Sequence, residues 1–147
     1  MITSRDVCVT GGTGYIGRRL IGRLVTRGHR VRALARASSA GLVPAGATAI
    51  VGDALDTDSV AAALRPSDTL VHLVGTPHPS PAKAAEFVRV DLASIRASVA
   101  AATRVGVSQL VYVSVAQPAP VMRAYLAVRA EGEQAIGGPS FLSRSMR

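Results

Sequence analysis

Residues 9–17 read Val-Thr-Gly-Gly-Thr-Gly-Tyr-Ile-Gly, and no other stretch restricts the fold so tightly. The glycines at 11, 12, 14 and 17 stand directly after a short apolar run, Asp6–Thr10, and directly before a stretch of helical periodicity. Both Gly12-x-Gly14-x-x-Gly17 and Gly11-x-x-Gly14-x-x-Gly17 are present. Glycine at such spacing meets three physical demands: a tight turn with positive φ, backbone that can approach a bound group, and close packing of helix on strand. Beyond the turn, Ile16, Leu20, Leu24 and Val25 recur at helical spacing, whereas Arg18, Arg19, Arg23 and Arg27 fall mostly outside it. Gly28 is a natural stop. A strand, a glycine turn and an amphipathic helix in succession open a βαβ unit.

The first turn of that helix offers unpaired N–H groups and a partial positive charge, which suit a pyrophosphate. A glycine-rich turn without a ligand is the plainer alternative. The context of strand before and amphipathic helix after favours dinucleotide binding. Gly11, Gly12, Thr13, Gly14, Tyr15, Ile16 and Gly17 are then the residues placed at the phosphates.

The rest of the chain repeats the alternation. Strands are expected at 29–35, 47–51, 68–74 and 109–115, and helices at 15–27, 58–64, 82–104 and 121–136. The third helix has its expected break near Asp91. Residues 75–81 hold three prolines and read as a loop. Hydrophobic residues make up 48% of the chain but aromatics only 3%, so the core must be aliphatic. That suits a parallel sheet covered on both faces by helices. The expected fold is a doubly wound, Rossmann-type parallel α/β sheet of five strands in the order 3-2-1-4-5. Ligands bind where that order reverses, between strands 1 and 4. This dinucleotide-binding domain spans residues 1–136.

The formal charge of +8 comes from 17 Lys plus Arg against 9 Asp plus Glu, and every cation except Lys83 is an arginine. They are spread along the chain without a basic run, aromatic interleaving or a zinc pattern, so they read as solvated helix faces rather than a nucleic-acid site. No metal site is expected. Cys8 is the only cysteine, which precludes an intrachain disulfide. No apolar run approaches membrane-spanning length and no signal pattern opens the chain; a cytoplasmic setting is the default expectation.

Val9–Gly17 resembles the signature of the extended and atypical short-chain dehydrogenase/reductase proteins, including their NmrA-like group. The resemblance extends to about Ile136 and takes in Asp68-x-x-Val71-His72-Leu73, the strand end Tyr112-Val113-Ser114, and the helix from Tyr125 to Glu133.

An NAD site of this type usually places an acid at the end of the second strand to hold the ribose 2′-hydroxyl. Between Asp6 and Asp53 the chain has no acid, and Arg36 stands at the strand end instead. Its guanidinium fork matches a 2′-phosphate, which favours NADP, with NAD as the alternative. The resemblance implies that the Asp53 carboxylate meets the adenine amino group, with the Ala54 amide beside it; a turn or N-cap role for Asp53 is the other reading. Val74, Gly75 and Thr76 are expected against the cofactor's ribose, with Gly75 allowing close approach. His72 is expected to be a satisfied structural histidine.

Family reductases use a Ser, a Tyr and a Lys four residues after the Tyr, the lysine charge lowering the tyrosine's pKa. The matching positions here are Ser114, Tyr125 and Arg129. Arginine keeps the charge, but its planar head has a different hydrogen-bond geometry. Ser114 and Tyr125 also lie closer in sequence than the family spacing. A non-catalytic role for Tyr125, packing near the cofactor, is the competing reading.

Family members normally continue into a sixth strand carrying an apolar run and an Arg-Pro. Residues 137–147 do not resemble that and read as a short irregular tail, with the substrate-binding part absent; truncation, a shifted frame or a short open reading frame would each explain it. Strand five would then be an open apolar edge and the chain marginally stable or oligomeric. Three functions follow as expectations: an NADP-dependent oxidoreductase acting on a small molecule, a non-catalytic NADP sensor or assembly factor with a protein partner, or a sugar-nucleotide epimerase or dehydratase.

Overall fold

The computed structural model describes residues 3–114 and 122–137, and the backbone of 142–146. Five parallel strands, β1 (Asp6–Thr10), β2 (Arg30–Ala35), β3 (Thr48–Val51), β4 (Thr69–His72) and β5 (Gln109–Val113), stand in the expected order 3-2-1-4-5. The register places Val9 beside Ala33 on one side and Val71 on the other, so β1 lies at the centre of the sheet. Order reverses between β1 and β4, and the glycine turn leaves β1 at that point.

Alternation along the strands builds two apolar layers. Val7 and Val9 of β1, with Val31, Ala33 and Val71, pack with Ile21 of helix α1 (Tyr15–Thr26). Cys8, Leu34, Leu70, Leu110 and Tyr112 face the other way. There they meet Val60 and Leu64 of α2 (Thr57–Leu64), with Ile95 and Ala101 of α4 (Ala93–Val105) and Val128 of α5 (Arg123–Gly137). Central strands buried on both sides explain the near-continuous Val, Leu and Ala runs. Arg18, Arg19, Arg23 and Arg27 are exposed, as their spacing predicts.

The long helix departs from regular geometry where its break was expected. A short α3 (Ala84–Glu86) passes into a π-helical turn, Phe87–Leu92, before α4. Such a turn accommodates an extra residue and shifts the faces on either side. Here Phe87, Asp91 and Leu92 are buried while Val88 and Arg89 are exposed.

The tail departs from expectation too. Leu142–Met146 forms β6, parallel to β5, with Leu110 beside Ser143 and Val113 beside Met146. The sequence 142–146 lacks a continuous apolar run, so its strand pattern is weak. The free row of N–H and C=O groups on β5 nevertheless supplies a template, and the open edge becomes that of β6 rather than β5. Val115 and Val121, the expected ends of strand five and the last helix, lie outside the described residues, as do Gly138 and Pro139.

Candidate functional site

Three glycines of the phosphate loop stand where close contacts leave no free space for a side chain. Gly11 adopts φ +75°, and a Cβ there would lie 2.6 Å from the carbonyl carbon of Leu73, at the end of β4. A Cβ on Gly12 would meet Ile21 Cδ1 at 2.7 Å, and one on Gly17 would overlap Gly11 O. These three glycines therefore serve the packing of turn, strand and helix. Gly14 differs, since its Cβ would meet only Gly11 O at 3.4 Å. It is exposed and faces the cleft.

Gly14 is also the N-cap of α1, with no side chain capping it and no acid in the first turn. The amides that open the helix are left for an anion. Gly14 N donates to Gly11 O at 3.2 Å and Arg18 N to Gly14 O at 3.0 Å, which fixes the turn in shape. Tyr15 and Ile16 stay exposed at 70% and 55%, and Arg19 stacks on the Tyr15 ring 3.8 Å from its centroid.

From this loop a cleft of about 520 Å³ runs across the strand ends. Gly11, Thr13 and Gly14 form its middle. One end is lined by Arg36, Ser39, Asp53 and Ala54, the other by Val74, Gly75, Glu86 and Val90. The Asp53 carboxylate accepts from Leu55 N at 2.9 Å, a turn contact, while Asp56 caps α2 by accepting from Asp58 N. Asp53 thus turns the chain and also lines the cleft.

The other candidate residues cluster beside the cleft in an arrangement the spacing did not reveal. Arg129 is 7% exposed, and its Nη2 lies 2.7 Å from Asp91 Oδ1. Its Nη1 donates to Val113 O at 3.2 Å and to the Tyr112 hydroxyl at 3.3 Å. The guanidinium carbon sits 5.0 Å from the Tyr125 ring centroid, and Tyr125 meets Phe87 edge-on. Burial works against the Arg129 charge, but Tyr112, Tyr125 and Asp91 outweigh it and hold the group's pKa above its ordinary value. Burial raises Tyr112 above the usual phenol range.

Gly75 belongs to this cluster. A Cβ on it would lie 2.8 Å from Arg129 Nη2 and 3.2 Å from Asp91 Oδ1. On that side its small size makes room for the ion pair, a use distinct from the approach of a ribose. Thr76, expected at the ribose, is buried and bonded to Asp91. Ser114 is buried at 8% exposure, and among the described residues its hydroxyl has no hydrogen-bond partner, Tyr125 included. Asp91 and Tyr112 were missed as site residues. An acid at the point where the helical pattern breaks was the available signal for Asp91.

His72 is the satisfied core residue its position suggests. Its Nδ1 lies 3.1 Å from Thr10 Oγ1 and 2.9 Å from Ser98 Oγ. Burial, with the Arg129 charge, pushes its pKa down to about 3. Among the described residues no group of acids, histidines and cysteines could hold a metal ion. No described helix is long and apolar enough to cross a membrane.

A parallel sheet reversing order at β1 and β4, with a glycine turn feeding an uncapped helix end, defines a dinucleotide-binding Rossmann domain. Residues 11–136 match the model of the NAD(P)H-binding family. The chain belongs to that family, in keeping with its resemblance to the atypical and extended short-chain dehydrogenase/reductase proteins. It is 30% identical to the 4-hydroxy-2-methyl-3-oxo-4-farnesyl-3,4-dihydroquinoline-1-oxide ketoreductase of Stigmatella aurantiaca over 161 aligned positions, 95% of this chain and 48% of that protein. The Bordetella bronchiseptica enzyme WbmG in complex with NAD superposes with a TM-score of 0.81 at 19% identity, over 99% of this chain and 53% of that one. The Thermus thermophilus UDP-glucose 4-epimerase complex with NAD gives 0.79 at 22%, over 97% and 54%. The chain thus spans about half the length of these proteins.

Proposed function

We propose that this chain binds NADP and serves an oxidoreductase reaction on a carbonyl or alcohol. The observation that carries the reading is Arg36. It lies exposed just beyond β2, lining the end of the cleft that also holds Ser39 and Asp53, in a segment without acids. A planar guanidinium there pairs with a 2′-phosphate and gives a ribose 2′-hydroxyl no acceptor. Asp53 and Ala54 hold the adenine, the loop from Gly11 to Gly17 the pyrophosphate, and Val74 and Gly75 the second ribose.

When bound, the cofactor supplies or accepts hydride at its nicotinamide. Tyr125, half-buried on α5, is the group that donates or takes the proton, with Arg129 one helical turn on and Ser114 at the end of β5 completing the set. The Stigmatella relative, a ketoreductase, supports this class. Cys8 is buried with its thiol pushed up to about 12, so it stays protonated and takes no part in this chemistry.

A second reading, a non-catalytic NADP sensor or assembly factor acting on a protein partner, is favoured by one observation. Arg129 is engaged by Asp91, Tyr112 and Val113. Epimerase or dehydratase chemistry on a sugar nucleotide is a third, supported by fold alone. Comparing Tyr125→Phe with the parent tests them. Turnover lost with NADPH binding retained supports the enzyme; binding without turnover in either protein supports the sensor.

A further inference from the structure

Three segments meet on one buried carboxylate. Asp91 Oδ2 accepts from the backbone N–H of Thr76 at 3.0 Å and from its hydroxyl at 2.6 Å. Asp91 Oδ1 takes Arg129 Nη2 at 2.7 Å. Thr76 directly follows Val74 and Gly75, which line the cleft, and Arg129 lies one turn beyond Tyr125 on α5. The side chains of the pair are 8% and 0% exposed, whereas the pairs Arg5–Asp68, Arg30–Asp6, Arg96–Glu131 and Arg104–Asp58 each have at least one partner in solvent.

The arrangement is directional. Both carboxylate oxygens are occupied, by different segments, so the group cannot swing without giving up one of them. Among the described residues Arg129 Nε has no partner, so they do not hold the guanidinium by a full set of bonds, and Asp91 supplies its shortest. The π-helical turn is what brings an acid inside at this point, and Gly75 leaves the space in which the two groups meet. In a low-dielectric interior neither charge is stable without the other.

We propose that Asp91 is a positioning residue that ties the segment Val74–Thr76 beside the cleft to helix α5 through Arg129, and so holds Tyr125, whose ring lies 5.0 Å from the guanidinium carbon. The tie rests on geometry; its bearing on cofactor rests on the reading of the cleft as an NADP site. Contact of a dinucleotide with Val74 and Gly75 is then felt on α5, although the two segments are far apart in sequence.

Hydrogen exchange on the full chain, with and without NADPH, tests this. The parent is compared with Asp91→Leu/Arg129→Met, which removes both charges, and with Asp91→Asn, which keeps an acceptor for Thr76 but weakens the hold on Arg129. Without cofactor, the double variant should exchange faster by about tenfold both at residues 74–76 and around Tyr125, with β1 and α1 unchanged. Asp91→Asn should release α5 while residues 74–76 stay protected, a split that general loss of stability does not produce. With NADPH, all three proteins should protect residues 11–17, but only the parent should extend protection to α5. Equal exchange of α5 in parent and variants, or equal protection of α5 by NADPH, overturns the proposal. If NADPH leaves residues 11–17 unprotected in the parent, the cleft reading fails, and the cofactor-free comparison still decides the tie.

Discussion

Arg129 Nη2 and Asp91 Oδ1 lie 2.7 Å apart, buried between α5 and the π-helical turn. In the family this chain resembles, the position of Arg129 belongs to a lysine. A guanidinium is larger, planar and always charged, and it needs both room and a counter-charge to be buried. Gly75 provides the room and Asp91 the charge. Arg129, Asp91 and Gly75 are therefore one structural unit, and changing any of them alone should cost more than its surroundings suggest.

Breaking the pair from one side leaves an unpaired buried charge. Arg129→Ala and Asp91→Ala should each lose about 3–5 kcal/mol of stability, whereas Asp91→Leu/Arg129→Met should recover most of it. Urea unfolding measures this. A loss below about 1 kcal/mol for Arg129→Ala would mean that the pair is solvated in solution.

The glycines of the loop separate folding from binding. Gly17→Ala should destabilise the fold, because its Cβ overlaps Gly11 O. Gly14→Ala should fold normally, since φ is −76° and its nearest contact is 3.4 Å, yet it should weaken NADPH by about tenfold or more by crowding the pyrophosphate. Gly22→Ala, with nothing within 4 Å, should raise stability by about 0.8–1 kcal/mol. Thermal unfolding paired with cofactor titration distinguishes the three.

His72 gives stability a pH dependence with a definite sign. Its pKa falls from an ordinary 6.5 to about 3 on folding. Between these values the unfolded chain holds a proton that the folded chain does not, so this stability is present above the unfolded value. It is lost at about 1.4 kcal/mol per unit as pH falls toward the folded one. His72→Gln should flatten that limb by one proton. An identical slope in parent and variant, from unfolding at several pH values, would contradict the assignment.

The sheet order, the loop and the aliphatic core were legible because each depends on local pattern: apolar runs, glycine spacing and helical periodicity. The break near Asp91 was legible as a break but not as a π-helical turn, since the reason for it lies on α5. The bond from Asp91 to Arg129 spans 38 residues and joins two elements whose mutual placement no spacing encodes. β6 was missed for a related reason, because its pairing is decided by the free edge of β5 more than by the residues 142–146.

Arg36 should set cofactor choice. Arg36→Asp removes the partner of a 2′-phosphate and supplies an acceptor for a 2′-hydroxyl, so preference should move from NADPH toward NADH while stability stays within about 0.5 kcal/mol. Unchanged preference would place the discrimination elsewhere.

Titration of the unaltered chain with NADPH and NADH, followed by nicotinamide fluorescence, tests the central reading most directly. The account predicts binding of NADPH at least about tenfold tighter than NADH, a difference of about 1.4 kcal/mol. Comparable affinity for the two would contradict the role given to Arg36, and binding of neither would contradict the site itself.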